Sequence, residues 1–249
     1  MKREFFAAAV ILTVALTAGP LNAQVQLFLD EHLVPYDDGN VSAWVFPVAG
    51  AMDEAFDDLD DYAKDRSDVR MKKDRGEQMI AEKVSVPAIS THRGDLIGYG
   101  YSMGQRDALA LIFRMGYDIA LNSEEWPDEM ENFRTWTRAF MAYHYEQSYA
   151  RRTDELEKEL KSLERDKSQL ERKIDRLTDD ISKLGRKIAE ETETEEINEL
   201  ETEINDSERE LKSLMAELPP LESQISSLST RINQLKAESH TYQSTIGTL

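Results

Sequence analysis

The stretch that decides the fold is GRKIAEETETEEINELE, Gly185–Glu201, in the middle of a long charged segment. Up to Ile188, leucine and isoleucine recur at alternating steps of three and four residues, which is typical of a coiled-coil seam. The same pattern resumes at Ile197, but these two equivalent positions are nine residues apart rather than seven. Nine steps of about 100° would put the second stripe on the opposite side of a straight helix. Coiled coils absorb insertions of three or four residues but not a shift of two, so we predict that the chain turns within residues 189–196.

Each side of this turn carries one heptad frame with apolar residues at two positions in every seven. Lys167 is the single charged residue at a seam position of the first arm. Tyr242, Ile246 and Leu249 prolong the second frame. The predicted coiled-coil seam comprises Leu156, Leu160, Leu163, Leu170, Ile174, Leu177, Ile181, Leu184, Ile188, Ile197, Leu200, Ile204, Leu211, Leu214, Leu218, Leu221, Ile225, Leu228, Ile232 and Leu235.

The charges of the two arms favour an antiparallel hairpin. Residues 151–187 contain twelve basic and ten acidic side chains, a net charge of +2. Residues 188–218 contain twelve acidic and two basic side chains, a net charge of −10. Charged residues beside a seam select the partner and its orientation, so the acidic arm suits an antiparallel neighbour with basic residues. Because the predicted turn has no Gly or Pro and Glu is a good helix former, one long, locally distorted rod is the alternative.

A second interruption is predicted at Pro219 and Pro220, because proline removes a backbone donor and disrupts a helix interior. A third helix, from about residue 221 to 242, would follow it. The resulting division of the chain is a signal peptide at 1–23, an α+β head domain at 24–149 and a coiled-coil region at 150–249 with its turn near 189–196 and its break at 219–220.

The head is predicted to be of the α+β class, with a small, mostly antiparallel sheet and packing helices. Residues 109–121 place an apolar side chain at every second position, which favours a long strand; a helix over 107–115 is the alternative. In residues 95–103, Tyr99 and Tyr101 share one face of a strand. Gly98 and Gly100 lie on the other face, where they allow close approach of a helix or a strong bend.

The other predicted elements of the head alternate between strand and helix. The first predicted strand is residues 42–50, and Pro47 would confine it to an edge of the sheet or to a bulge. Residues 69–78 are predicted to form a hairpin that turns at Gly76, and residues 79–90 are predicted to form another strand. Amphipathic helices are predicted at 51–66 and after Trp126-Pro127, where proline suits the first helical position. We expect a curved sheet with helices on one face.

The first residues have the pattern of a signal peptide. Lys2 and Arg3 precede the apolar run from Phe5 to Ala18, and Ala23 ends a small-residue cleavage motif. The run is shorter than the 20 or so apolar residues that a spanning helix needs. We therefore expect export, to the bacterial periplasm or the cell exterior, and no membrane span once the signal has been removed. An uncleaved anchor is the alternative.

Composition excludes several classes of function. The chain has no Cys, which removes disulfides, thiolate metal ligands and a Cys nucleophile. Its 49 acidic against 30 basic residues give a net charge of −19, which disfavours binding to nucleic acid. A salt-adapted source would have the same composition.

The sequence indicates no catalytic residues, no cofactor-binding motif and no metal site. The four His residues, at 32, 92, 144 and 240, lack metal-ligand spacing. His144 is interpreted as a packing residue. The acidic run DDLDD, residues 57–61, and the Glu cluster of the opening stretch are interpreted as solvated helix faces. Weak binding of Ca²⁺ by these oxygen-rich clusters is the alternative.

The sequence therefore favours a non-enzymatic envelope protein that acts by protein–protein interaction. Its head would recognise a partner, and its coiled coil would act as a spacer or support self-association. Tyr145 and Tyr149, at the root of the coil, are the predicted partner contacts. Two alternatives stay open: a periplasmic holdase chaperone, and a helix-grip module that binds a lipid or another small ligand between the sheet and Phe133, Trp136 and Phe140.

Overall fold

The structure is a computed structural model, and it describes residues 27–37, 39–74, 76–104, 106–116 and 119–249. The predicted signal peptide at 1–23 lies outside the described residues. In chain order, the elements are β1 (Asp30–Tyr36), β2 (Gly39–Pro47), α1 (Met52–Ser67), β3 (Lys72–Lys73), β4 (Gln78–Ser85), β5 (Arg93–Met103), β6 (Arg106–Met115), β7 (Ile119–Ala120), α2 (Pro127–Glu190) and α3 (Thr194–Ile246). Among the described residues, no helix has an apolar stretch long enough to cross a membrane.

The strands form one antiparallel sheet in the order β1-β2-β6-β5-β4-β3, with β7 paired to β6, which confirms the predicted α+β class. The sequence prediction missed β1. Because β1 pairs with one side of β2 and β6 with the other, β2 is an inner strand, and the prediction that Pro47 confines it to an edge is wrong. Pro47 is instead the last residue of β2. At the end of a strand, the backbone N–H that proline lacks removes least from the hydrogen bonding between strands.

The period-two run at residues 109–121 is a strand, as predicted, but it is shorter than predicted. β6 ends at Met115, and β7 folds back on it, with Ile119 opposite Met115. Leu109, Leu111 and Phe113 face the helices, while alternate residues such as Ala110 lie in a second buried cluster on the other face. Both faces of this central strand are therefore buried.

The second face of the sheet is buried without a helix because the sheet curls. Tyr36 on β1 accepts a hydrogen bond from Gln78 Nε2 on β4 at 3.0 Å, and its ring centroid lies 6.3 Å from that of Tyr99 on β5. In a flat sheet, four strand spacings would separate β1 from β4 by about 19 Å. The sheet must therefore bend strongly towards this face to bring the two strands into contact.

The opposite face of the sheet carries α1 and α2. A Cβ atom built on Gly98 would lie 2.5 Å from Leu59 Cδ2 of α1, so a larger residue here would force the Leu59 side chain to move. This confirms the predicted role of Gly98. α1 and α2 begin within one residue of their predicted starts, and Pro127 occupies the first position of α2.

The coiled-coil region is an antiparallel helical hairpin. α2 ends at Glu190 and α3 begins at Thr194, so the turn lies inside the predicted segment 189–196. Lys167 on α2 pairs with Glu222 on α3, and Glu157, earlier on α2, pairs with Lys236, later on α3. Such nested pairs require antiparallel helices. Every predicted seam residue is buried or half-buried, with exposed residues on either side of the stripe.

The predicted break at Pro219 and Pro220 is wrong, and so is the separate third helix. α3 runs through both prolines without interruption. Two prolines leave the carbonyls of Met215 and Ala216 without their usual helical donors. All four residues are exposed, so water can hydrate these carbonyls. The apolar seam continues on both sides and holds the helix against α2.

The charged seam residue Lys167 has a definite role in the hairpin. Its Nζ lies 2.9 Å from Glu222 Oε1 on α3 and 3.6 Å from Glu171 Oε1 on its own helix. The hydrogen bond to Glu222 raises the pKa of Lys167. Since Glu171 and Glu222 flank the seam on facing helices, the ammonium group offsets a repulsion between like charges at this layer.

Candidate functional site

The main polar cluster of the interior lies at the base of the hairpin, between α1 and α2. We call Asp58, His144 and Arg151 the base cluster. Asp58 lies near the middle of α1. His144 and Arg151 are seven residues apart on one side of α2. His144 is fully buried, and the side chain of Asp58 is 6% exposed.

The hydrogen bonds of His144 define its tautomer. Nδ1 lies 2.7 Å from Asp58 Oδ2, and Nε2 lies 3.0 Å from the backbone nitrogen of Ala49. A backbone N–H can only donate, so Nε2 is the acceptor and Nδ1 carries the proton that it donates to Asp58. Both ring nitrogens therefore make hydrogen bonds within the protein.

Arg151 binds the same carboxylate through both of its terminal nitrogens. Nη1 donates to Asp58 Oδ1 at 2.7 Å and Nη2 donates to Asp58 Oδ2 at 2.9 Å. Burial on its own would raise the pKa of Asp58, but the hydrogen bonds from Arg151 and His144 outweigh it, and the pKa lies below its ordinary value. The carboxylate is therefore charged in the folded protein.

Ser148 lies one helical turn after His144 and raises the question of a Ser-His-Asp triad. Its hydroxyl is buried and makes no hydrogen bond to any described residue, His144 included. A Cβ atom on Gly50, whose φ is +100°, would lie 3.3 Å from this hydroxyl and 2.7 Å from Glu54 Oε2. The loop before α1 thus closes over the serine, and the arrangement lacks the nucleophile–base contact that a triad needs.

The base cluster therefore has the geometry of a structural connection. It joins α1 to α2 where α2 leaves the sheet and becomes an arm of the hairpin. A second connection is made by Tyr145, whose hydroxyl donates to the carbonyl of Pro47 at 3.0 Å. A third is made by Trp44, whose Nε1 donates to the carbonyl of Met130 at 3.2 Å.

The two predicted partner contacts, Tyr145 and Tyr149, are buried within the chain. They are 2% and 8% exposed, and both ring centroids lie 5.6 Å from that of Tyr242 on α3. Burial is the largest cause of the raised pKa of each tyrosine. The prediction that they face another protein is corrected: their aromatic contact is with the returning helix of the same chain.

The end of α3 packs on the head. Ile246 is 1% exposed and, together with Leu249, belongs to the apolar cluster between sheet and helices. Arg134 Nη2 donates to the Leu249 carbonyl at 2.6 Å, and Gln243 Nε2 donates to a backbone carbonyl of α2 at 2.8 Å. Both arms of the hairpin are thus fixed to the head. α2 crosses the predicted domain boundary at 149/150 without interruption.

The predicted ligand space between the sheet and α2 is occupied by rings. Phe133, Trp136 and Phe140 are all at most 4% exposed. Phe133 lies 6.2 Å from Phe113, and Phe140 lies 5.8 Å from Phe46, measured between ring centroids. Trp136 stacks on Phe140 in the same layer. These contacts fill the region with protein side chains.

The acidic tip contains a carboxyl pair. Glu191 accepts hydrogen bonds from the backbone of Glu193 and Thr192, which lower its pKa, and a hydrogen bond with Glu191 raises the pKa of Glu196. In the part of the chain that the structure describes, no group of three or more His, Asp or Glu side chains is placed to hold a metal ion.

The sequence interpretation missed the base cluster because it assigned the whole DDLDD run to solvent. Asp57 and Asp61 are exposed, but Asp58 falls three residues after Ala55 and four before Tyr62, both buried. The sequence did offer one indication, since Asp58 falls on the apolar face of the predicted helix, where a carboxylate is expected to be buried and paired. Its partners are 86 and 93 residues away, and no local pattern identifies them.

Comparison of the chain with protein-family models, with curated proteins and with solved structures gives no match.

Proposed function

We propose that this is an exported, non-enzymatic protein of the cell envelope that acts through protein–protein contacts, with the head holding the hairpin as a rigid spacer. The observation that carries the proposal is the attachment of both arms to the head. α2 continues from the head into the arm as one helix, and α3 returns to pack its last turn on the same core. An arm fixed at both ends cannot swivel about a single linker.

The reach of the spacer follows from its length. From Arg151 to Glu190 the first arm has about 40 residues, which at about 1.5 Å each extend about 60 Å. The tip is therefore held well outside the head. A rigid element of this kind suits recognition or spacing and contributes nothing to bond chemistry.

The non-enzymatic part of the proposal is supported by the base cluster. His144 is the histidine in contact with a buried carboxylate, and both its nitrogens are engaged within the protein. A holdase is less well supported, since clasping unfolded chains needs apolar surface on the arms. Among the described residues of the two arms, the exposed large apolar side chain is Met215, at 55%.

Export is supported by the signal-peptide pattern of residues 1–23 and gives a direct prediction. When the chain is produced in a bacterium with a general secretion system, we expect the mature protein outside the cytoplasm, starting at Gln24. Intact-mass measurement and N-terminal sequencing of the exported fraction check this. Ala23→Arg places a bulky charge at the cleavage position and should leave the precursor uncut, whereas Gln26→Arg should not. A full-length chain that stays in the cytoplasm would contradict export.

Rigidity of the spacer is tested by distances between spin labels. The chain has no Cys, so the double variant Glu82→Cys/Thr192→Cys carries one label on β4 of the head and one at the tip. We expect a single narrow distance distribution by double electron–electron resonance, because both arms are anchored. A broad or multiple distribution would rule out a rigid spacer.

A second pair of spin labels, one on each arm, tests whether the two arms stay packed against each other. Ser162 and Ser227 are exposed and lie between the two salt-bridged levels of the hairpin. Packed helices have axes about 10 Å apart, so labels at these two sites should give a short distance. A long distance here would show that the arms separate, which is a different failure from movement of a closed hairpin on the head.

A further inference from the structure

The strand at one end of the sheet has an uncovered edge. In the order β1-β2-β6-β5-β4-β3, β1 is an end strand, and among the described strands it pairs with β2 alone. Leu33 stands at the middle of this seven-residue strand and is 71% exposed. The other exposed large apolar residues of the described chain are Ile119, at 41%, and Met215, at 55%. The most exposed of the three therefore lies on a strand edge.

The register of β1 against β2 decides which backbone groups lie at this edge. The hairpin loop between them has two residues, so Tyr36 and Gly39 close it as a hydrogen-bonded pair. Hydrogen-bonded and non-hydrogen-bonded pairs then alternate along the antiparallel ladder. Even-numbered residues of β1 therefore bond to β2, whereas Glu31, Leu33 and Pro35 direct their backbone groups away from it.

The ladder on the far side of β2 supports this assignment. The Val48 N–H donates to the Asp107 carbonyl at 3.2 Å, in register with the pairing of β2 and β6, so even-numbered residues of β2 bond to β6 and odd-numbered residues to β1. Outside the ladders, no backbone hydrogen bond of the described residues involves Glu31, Leu33 or Pro35. The edge therefore presents the N–H groups of the first two residues and the carbonyls of all three to solvent.

This edge is complementary to a second copy of itself. When two β1 strands run antiparallel about a twofold axis through Leu33, the Leu33 N–H of each copy can donate to the Leu33 carbonyl of the other. The Glu31 N–H of each copy can then donate to the Pro35 carbonyl of the other. Pro35 has no N–H of its own, so this register leaves no edge donor without an acceptor between residues 31 and 35.

The side chains are compatible with the same register. The two Leu33 side chains lie directly opposite each other, with their Cα atoms about 5.5 Å apart, and cover each other's exposed surface. Glu31 lies opposite Pro35 and Asp30 opposite Tyr36, so no two acidic residues face each other. An axis through Glu31 would instead bring two carboxylates together, and an axis through Pro35 would have no N–H at its centre. An axis through any neighbouring residue separates the two leucines.

We propose that two copies of this chain pair through their β1 edges, with Leu33 opposite Leu33, so that the two sheets join into one. This inference goes beyond the proposed spacer, which needs a single chain. A second copy is favoured over an unrelated extended segment because donors, acceptors and apolar side chain are arranged about a twofold axis of the edge itself. Edge strands commonly carry a charged side chain that prevents such pairing, but here the central residue is leucine.

The net charge of −19 opposes the approach of two copies and sets the salt dependence of the pairing. The Debye length falls from about 10 Å at about 0.1 M salt to about 3 Å at about 1 M, so the repulsion between the two chains is screened. Backbone hydrogen bonds and the contact between leucines do not depend on this screening. Association should therefore strengthen as salt is added, whereas an ion-paired contact would weaken.

The first test is sedimentation velocity of the full chain over a range of protein concentrations. Each copy contributes one short strand, so we expect a reversible dimer whose fraction rises with protein concentration and with salt. Leu33→Glu should raise the dissociation constant at least about tenfold, because two like charges meet at the axis and the apolar contact is lost. Ile119→Glu is the matched control, since it makes the same change at the other exposed apolar strand residue and should still dimerise.

The second test is a disulfide across the axis. Leu33→Cys introduces the single thiol of a chain that has no Cys. Opposite residues of a hydrogen-bonded antiparallel pair have Cα atoms about 5.5 Å apart, which a disulfide can span. Under a mild oxidant we expect Leu33→Cys to form a covalent dimer several times faster than Ile119→Cys, and because residue 33 is exposed, neither Leu33 variant should shift the urea midpoint.

A chain that stays monomeric at every concentration and salt overturns the proposal, as does a dimer that Leu33→Glu leaves unchanged. A dimer that dissociates on addition of salt also overturns it, and so does equal cross-linking of the two cysteine variants. The label distances within one chain test the spacer separately, so a monomer with a narrow distance distribution would refute the edge pairing and leave the spacer intact.

Discussion

Replacing Asp58 by alanine is expected to lower the free energy of unfolding by about 3 kcal/mol at neutral pH. The change removes two hydrogen bonds from Arg151 and leaves the Nδ1–H of His144 buried without its acceptor. The side chain of Arg151 is 37% exposed, so its own desolvation is incomplete and its share of the loss is discounted. Urea unfolding followed by circular dichroism measures the difference.

The loss should depend on pH in a defined direction. The folded-state pKa of Asp58 lies below the ordinary 3.8. A lowered pKa contributes stability that is complete above the ordinary value and disappears as pH falls through the folded-state value. The difference between wild type and Asp58→Ala should therefore be constant from neutral pH down to about 5 and shrink below about 4.

Asp57→Ala is the matched control, because Asp57 is the exposed neighbour on the same helix and its loss changes the net charge equally. It should alter stability by less than about 0.5 kcal/mol. Equal effects of the two substitutions would mean that the base cluster contributes no more than a surface charge.

Tyr145→Ala is expected to cost about 4 kcal/mol, because it opens a cavity where sheet, α2 and α3 meet. The side chain is 2% exposed and contacts Tyr242, and its hydroxyl binds the carbonyl of Pro47. Tyr145→Phe keeps the ring and loses only the hydrogen bond, so about 1 kcal/mol is expected. A true contact with another protein would leave the isolated chain near wild-type stability in both variants.

The probes for this experiment report on different parts of the molecule. The three Trp residues, at 44, 126 and 136, belong to the head, whereas most of the circular dichroism comes from the two long helices. In the wild type both signals should change at the same urea concentration, since the head and the base of the hairpin share one core. In Tyr145→Ala we expect the two transitions to separate.

The hairpin was predictable from the sequence because coiled coils are specified locally. Ile188 and Ile197 alone reveal the phase shift, and the turn lies at residues 191–193 between them. Gly98 was predictable for a similar reason, since a glycine opposite apolar strand residues indicates close packing. The prolines were misjudged because propensity describes an isolated helix, while α3 is held by the seam on either side of them.

The failures concern contacts between residues far apart in sequence. Nothing near Tyr145 shows that α3 returns to cover it, and the 97 residues up to Tyr242 contain the whole hairpin. The strand β1 was missed because its run contains Pro35 and charged residues, and its pairing with β2 decides its conformation. Pattern predicts which face of an element is apolar, but it does not say which distant element covers that face.

From the return of α3 to the head we expect a particular order of folding. The turn at residues 191–193 closes a loop of only a few residues. The two arms can therefore pair progressively from the tip to the base, and each step costs little loop-closure entropy. The contact between Arg134 and Leu249, 115 residues apart, forms last on this route. The head would then complete its core only after the arms have closed, which makes the hairpin the template on which the head finishes folding.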